Sequence, residues 1–259
     1  MPLPMENLDY RLSHRTADKA NRYDLSFGRD PWRAYLWKRE QCVLEKVLHE
    51  HFSEMPAAHL DFACGTGRIL GFLRGRVGGS VGLDISAEML KVAAARMPGM
   101  RLVQADITQC DVLGQEGFDL ITAFRFLANA QEDLRMEALR ELAAHLLPHG
   151  RLVFNNHKNH SSLLYRVGRL MGKHTRTLDH RHVGQLVRQT GLEILEAYPL
   201  GVLPATDAHM LLPAWVHRAF DAALGRGAVG VAWAQDVVYV CAHRGAKRPS
   251  TREASGGRS

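Results

Sequence analysis

The stretch His59-Leu-Asp-Phe-Ala-Cys-Gly-Thr-Gly-Arg68 restricts the fold more than any other part of the chain. An apolar run carrying Asp61 turns through Cys64-Gly65-Thr66-Gly67 and re-enters an apolar pattern at Ile69, Leu70, Phe72 and Leu73. That order predicts strand, glycine turn, helix. A second short apolar run, Val81-Gly-Leu, ends in Asp84, 17 residues beyond Gly67. Gly65 and Gly67 lack a Cβ, so the backbone can turn tightly and approach a ligand closely. The unbonded N–H groups of the following helix suit an anionic group. An acid closing the second strand can accept hydrogen bonds from ribose hydroxyls. Together these features predict a nucleoside-cofactor site on an α/β sheet.

The glycine spacing narrows the cofactor. A G-x-G-x-x-G dinucleotide fingerprint is broken, because the third glycine, Gly71, falls one place late and Arg68 crowds the turn. No Tyr-x-x-x-Lys pair of the short-chain dehydrogenase type occurs. The pattern Asp61-x-x-Cys64-Gly65-x-Gly67, with Asp84 and then Gln104-Ala-Asp106-Ile107, resembles class I S-adenosylmethionine-dependent methyltransferases of the small-molecule type. The resemblance implies that the turn packs against the methionine part of S-adenosylmethionine and that Asp84, with Ile85, holds the ribose. It also implies that Asp106 reaches the adenine amino group while Ile107 packs on the ring, and that Phe124, closing strand four, borders the cofactor. It runs over roughly residues 30–200, through Gly117-Phe-Asp119-Leu-Ile-Thr-Ala-Phe124 as strand four and Arg151-Leu-Val-Phe154 as strand five.

The expected architecture is a Rossmann-like, mostly parallel seven-stranded sheet with helices on both faces and an inserted cap before the last strand. Residues 1–30 would form an N-terminal cap segment and 31–244 the methyltransferase domain. Cap elements are expected at about 158–178 and 199–236, and a disordered tail over 245–259. Apolar stripes predict helices over Pro31–Phe52, Ser86–Arg96, Leu134–Leu147, Ser161–Met171 and Pro213–Leu224. Last comes the strand Val237–Cys241.

Composition bounds the partners. At 259 residues and 46% apolar content, the chain can bury one large core. Cys42, Cys64, Cys110 and Cys241 are scattered without Cys-x-x-Cys spacing, which predicts neither zinc nor disulfides and fits a cytoplasmic setting. No metal is expected: Glu132 and Asp133 sit where a helix N-terminus favours acids, and His180 and His182 do not share a helical face. No apolar run is long enough to span a membrane, leaving at most a peripheral contact, and Met1-Pro-Leu-Pro-Met-Glu does not read as a signal peptide. Half of the net charge of +6 lies in the tail, and no basic–aromatic stripe runs through the body. With no Asn/Asp-Pro-Pro-Tyr/Phe motif after strand four either, a small-molecule acceptor is expected rather than nucleic acid. Nothing here sets an oligomeric state.

Open α/β sheets bind ligands beyond the carboxyl ends of their strands. Strand four is followed by Phe124-Arg125-Phe126-Leu127-Ala128-Asn129, and strand five by Asn155-Asn156-His157-Lys158-Asn159-His160. His157 is the first candidate for a base that takes the acceptor's proton, with His160 in reserve, and Arg125 a candidate to orient the acceptor. Asn129 and Asn155 are candidate orienting amides, and Tyr23 could bond the cofactor carboxylate or the substrate. Asp207 and His209 are further candidate ligands in the long connection. Each has a plainer alternative, such as a loop contact for His157 or an ion pair with Glu132 or Asp133 for Arg125. The expected reaction is methylation of a hydroxyl on a sugar, glycan precursor or secondary metabolite. A quinone or lipid-type acceptor would follow if Ser161–Met171 exposed an apolar face. A cofactor-binding regulator without activity would follow if Trp215 or Trp233 blocked the acceptor pocket.

Overall fold

The computed structural model describes residues 10–12, 29–170, 178–206, 210, 212–224 and 227–246. A single seven-stranded sheet runs in the order β3-β2-β1-β4-β5-β7-β6. Its strands are β1 (Ala58–Phe62), β2 (Gly79–Asp84), β3 (Arg101–Gln104), β4 (Phe118–Ala123), β5 (Leu146–Asn156), β6 (Leu192–Leu200) and β7 (Asp236–His243). Strands β1 to β5 are parallel, and β7 enters antiparallel between β5 and β6. The order reverses between β1 and β4, which is where such a sheet opens a crevice for a ligand.

Both faces of the sheet are buried, as the near-continuous apolar strands require. Alternation along β5 and β7 divides the core. Leu152, Phe154, Tyr239 and Cys241 face one layer, built with α4 (Glu132–Ala144) and α6 (His180–Gln189). Val153, Val238 and Val240 face the other, built with α1 (Pro31–His51) and α2 (Arg68–Leu73). The apolar stripe of α1 points inward through Trp32, Tyr35, Leu36, Val43, Leu44 and Val47, and Pro31 occupies its first turn. Helix α3 (Ala87–Arg96) is capped by Ser86, whose hydroxyl accepts from the Met89 amide.

Several boundaries differ from the expected ones, the last strand among them, which runs over Asp236–His243 rather than Val237–Cys241. Helix α4 ends at Ala144 rather than at Leu147, because Phe118 donates to the His145 carbonyl and pairs with Leu146, drawing the chain into β5 early. The segment expected as helix from Ser161 to Met171 is helical over α5 (Leu163–Leu170). In the connection between β6 and β7, α7 (Ala214–Leu224) was expected, whereas α8 (Ala228–Trp233) was not. Among the described residues, no helix is long and apolar enough to cross a membrane.

Candidate active site

The glycine turn closes at the carboxyl end of β1. Gly65 and Gly67 both have left-handed backbone, at φ 55° and 78°. They serve different ends. A Cβ on Gly67 would lie 2.1 Å from Met97 Cε, so this glycine lets the turn pack against the end of α3. A Cβ on Gly65 would meet nothing within 4 Å, and Gly65 borders a cavity. Ala63 and Arg125 are the non-glycine residues with positive φ among those described, and both border the same cavity. Backbone strain concentrated this way marks a place where geometry is held for a ligand.

Asp84 fastens the turn to β2. Its two oxygens accept from the Gly65 and Ser86 amides, each at 2.8 Å, and burial raises its pKa. Beneath it a polar thread crosses three strands. Thr122 donates to Asp61 at 2.7 Å, so its oxygen accepts from His59 Nε2 at 2.9 Å. His59 Nδ1 then accepts from the Ser80 hydroxyl at 3.0 Å. Burial keeps His59 neutral, with its pKa pushed down to about 3, and lifts Asp61 to about 7. Asp61 Oδ2 is itself buried.

The cavity is lined by Gly65, Asp84, Ile85, Asp106, Phe124, Arg125 and Asn129 among others. It therefore gathers seven of the residues picked out from sequence. Asp61, Cys64, Gly67 and Ile107 support it from behind instead. Cys64 packs with Leu70, Leu90, Ala93 and Met97, and Ile107 lies in the main core. Tyr10 and Arg11, from a 3₁₀ turn at Tyr10–Leu12, also line it. The Arg11 guanidinium reaches Asp106 at 2.6 Å and the Thr108 hydroxyl at 2.9 Å. Burial pushes the Asp106 carboxyl up, but the Thr108 hydroxyl and amide, helped by Arg11, outweigh it and hold the carboxyl below its usual value. Tyr10 meets Phe126 edge-on at 5.8 Å.

A second cavity adjoins the first, and Arg125 and Asn129 line both. Its other walls include Arg33 and Leu36 from α1, His157 and Lys158 after β5, Tyr165 from α5, and Gln235. Among the described residues, His157 Nδ1 is buried with no hydrogen-bond partner. Burial first, then the charges of Arg125, Lys158, Arg33 and Arg68, press its pKa well below the usual imidazole value. Asn129 braces this wall, donating to the Arg125 carbonyl at 2.7 Å and accepting from Lys158 at 2.9 Å. Asn155 is buried beneath, accepting from the Arg125 amide at 2.6 Å and donating to Asp236 at 3.0 Å. Its contacts fix the left-handed Arg125. A buried glutamate, Glu40, lies 2.6 Å from Arg68 and 3.9 Å from Arg125. His160 lies outside both linings, and Tyr23, Asp207 and His209 fall outside the described residues.

Residues 60–150 match the family model described as a methyltransferase domain. Over those residues, the chain carries a methyltransferase domain. The chain is 33% identical over 118 residues to a dTDP-3-amino-3,6-dideoxy-alpha-D-glucopyranose N,N-dimethyltransferase of Streptomyces fradiae, covering 45% of this chain and 46% of that one. It is 34% identical over 139 residues to a dTDP-4-amino-2,3,4,6-tetradeoxy-D-glucose N,N-dimethyltransferase of Saccharopolyspora spinosa, covering 51% and 52%. The chain thus spans about half the length of the curated relatives it matches. A methyltransferase structure from Clostridium acetobutylicum ATCC 824 shares the fold, with TM-score 0.59 and 16% identity over 86% of this chain and 98% of that one.

S-adenosylmethionine is the cofactor that the methyltransferase-domain match implies, and the first cavity fits it on its own terms. Asp84 retains lone pairs for a ribose diol after accepting two amides, Gly65 leaves its Cβ space open, and Phe124 supplies an apolar wall. Sequence reading missed Tyr10, Arg11, Arg33, Glu40, Lys158 and Asp236. Only Glu40 carried a signal, as a charged residue set within the apolar stripe of α1.

Proposed function

We propose that the chain transfers the methyl group of S-adenosylmethionine to a nucleophilic oxygen or nitrogen of a small molecule held in the second cavity. The observation that carries this reading is the common wall: Arg125 and Asn129 face both cavities, with neutral His157 on the acceptor side. The cofactor supplies a methyl carbon activated by positive sulfur. The protein's part is alignment, since displacement at carbon requires the reacting atoms in line and in near contact. A hydroxyl or ammonium acceptor must also lose a proton. His157 offers an unprotonated ring nitrogen throughout the neutral range, and the cations around it favour the deprotonated acceptor.

A sugar, glycan precursor or secondary-metabolite hydroxyl is the acceptor that the sequence suggests. The names of the two relatives instead describe dimethylation of amino sugars, which makes an amine the other acceptor to screen. A lipid-type acceptor is favoured by one observation, the exposure of Leu163 and Val167 on α5 at 40% and 46%. Against an inactive regulator, Trp215 and Trp233 stand at the surface and line neither cavity. The test is a mass-shift screen of amino sugars, sugars and quinones with S-adenosylmethionine, followed by His157→Ala on the acceptor found. His157→Ala should lower turnover by roughly 10²–10⁴-fold and leave S-adenosylhomocysteine affinity within about twofold. Equal loss of both, or of neither, removes His157 as the base.

A further inference from the structure

The connection between β6 and β7 turns apolar side chains outward. Helix α7 buries His217 and Asp221, while Trp215, Ala219, Phe220 and Ala222 are exposed. This reverses the usual arrangement of an amphipathic helix. Asp221 is satisfied inside, accepting from the Tyr35 hydroxyl at 2.8 Å and from the Gly201 and Val202 amides at 3.1 and 2.9 Å. His217 packs on the Trp32 and Tyr35 rings, so the polar side of α7 is what ties it to α1. Helix α8, in contact with α7, exposes Val229 and Trp233. Asn159 donates to the Val231 and Ala234 carbonyls, each at 2.8 Å, and so joins α8 to the segment leading into α5, where Leu163 and Val167 are exposed. Among the described residues, seven of the eight exposed large apolar side chains lie on these three helices or, as Leu212, just before α7. Apolar exposure concentrated in this way marks a contact surface.

The charge of this surface has one sign. From Met210 to Trp233 the sequence holds Arg218, Asp221 and Arg226 as its only charged residues, and the single acid is the one turned inward. Helix α5 carries arginines and no acid, with Arg166 exposed. We propose that α5, α7 and α8 form a docking surface for an anionic lipid bilayer, with Trp215 and Trp233 entering the headgroup boundary. Indole rings suit that boundary, being apolar with one N–H to offer the headgroups. Helices of 8, 11 and 6 residues are too short to span a bilayer and suit lying in its interface, where arginines add attraction to acidic lipid. A second copy of this chain fits less well, because in an isologous contact the surface would meet itself and find no opposite charge. Leu164 and Tyr165, next to the exposed Leu163, line the second cavity, so the docked surface adjoins it.

The test is flotation of the full chain with vesicles of phosphatidylglycerol and phosphatidylcholine in equal parts, beside vesicles of phosphatidylcholine alone. Binding to the anionic vesicles is expected, several-fold weaker on the neutral ones. Trp215→Gln combined with Trp233→Gln should lower partitioning about tenfold or more at an unchanged melting temperature. Met55→Gln, which alters the exposed apolar side chain outside this region, should partition like the parent. Quenching of the parent's tryptophan emission by brominated phosphatidylcholine in the same anionic vesicles checks the contact without any substitution. The inference is overturned by absent flotation, by equal binding to both vesicles, by parent-like partitioning of the tryptophan double variant, or by unquenched emission. A dimer in sedimentation velocity that the double variant abolishes, with no flotation, would assign the surface to a second copy instead. The assay needs neither cofactor nor acceptor, so its failure leaves the methyltransferase reading untouched.

Discussion

Replacing Asp84 by Asn tests the cofactor site with little cost to the fold. The carboxylate accepts from Gly65 and Ser86, each at 2.8 Å, and faces the cavity beside Ile85. Asn keeps one acceptor oxygen and loses the charge. One amide partner is left short, costing about 1–3 kcal/mol, but the penalty of burying an anion, which raises the Asp84 pKa, is removed. These terms offset, so the melting temperature should shift by only a few degrees. Cofactor binding has no such offset. A ribose hydroxyl bonded to an ionised group is worth about 1.5–3 kcal/mol, which predicts roughly 10–150-fold weaker binding of S-adenosylhomocysteine. Asp84→Ala is the poorer probe, since it strands both amides and confounds affinity with stability. Calorimetry with S-adenosylhomocysteine, alongside thermal melts, reads the two effects separately. Parent-like affinity in Asp84→Asn would remove Asp84 from the site and refute the argument.

The two glycines of the turn should separate in a parallel experiment. Gly65→Ala and Gly67→Ala each force alanine into left-handed backbone, costing ~1–2 kcal/mol, but only the Gly67 Cβ meets the fold, 2.1 Å from Met97 Cε. Gly67→Ala should therefore melt lower, while Gly65→Ala should lose more cofactor affinity per degree of melting temperature; the reverse order would misassign the turn. Asp236 is buried, and its carboxyl is pushed up to about 7 by that burial and then by the charge of Glu40. A carboxyl raised in the folded state binds its proton more tightly there. Its stability contribution is therefore full below about pH 4 and is lost as pH rises through about 7. Asp236→Asn should reduce the stability lost between pH 5 and 8 by roughly 2–3 kcal/mol, measured by denaturant unfolding at both values; an unchanged slope would place the proton elsewhere.

The cofactor side was legible because its devices are local. A glycine turn, an acid 17 residues on and an apolar run between them lie within one β-turn-α-β unit, so spacing alone brings them together. Gly65, Asp84, Ile85 and Asp106 accordingly meet around one cavity. Ile107 shows the limit: it follows Asp106 directly, yet its side chain turns into the core. Helix boundaries slipped where strand pairing overrode propensity, as at His145, whose carbonyl is taken by Phe118.

The acceptor side was legible only as a location. The polar segments after β4 and β5 marked the right sheet edge, but not which of their residues would face inward. Asn155 reads on paper like Asn129, yet lies buried under Arg125, while Asn129 borders both cavities. Lys158 and Arg33, 125 residues apart, gave no joint signal. By itself, then, the sequence determined the class of fold, the cofactor turn and the strand ends where chemistry belongs, because periodicity and short spacing are properties of neighbouring residues. Tertiary structure alone decided that Arg11 meets Asp106, that Glu40 and Asp236 share a buried site, and that three cations line one cavity. Those pairings join distant segments, and only the packing of α1 and the connecting loops against the sheet sets which side chains can touch.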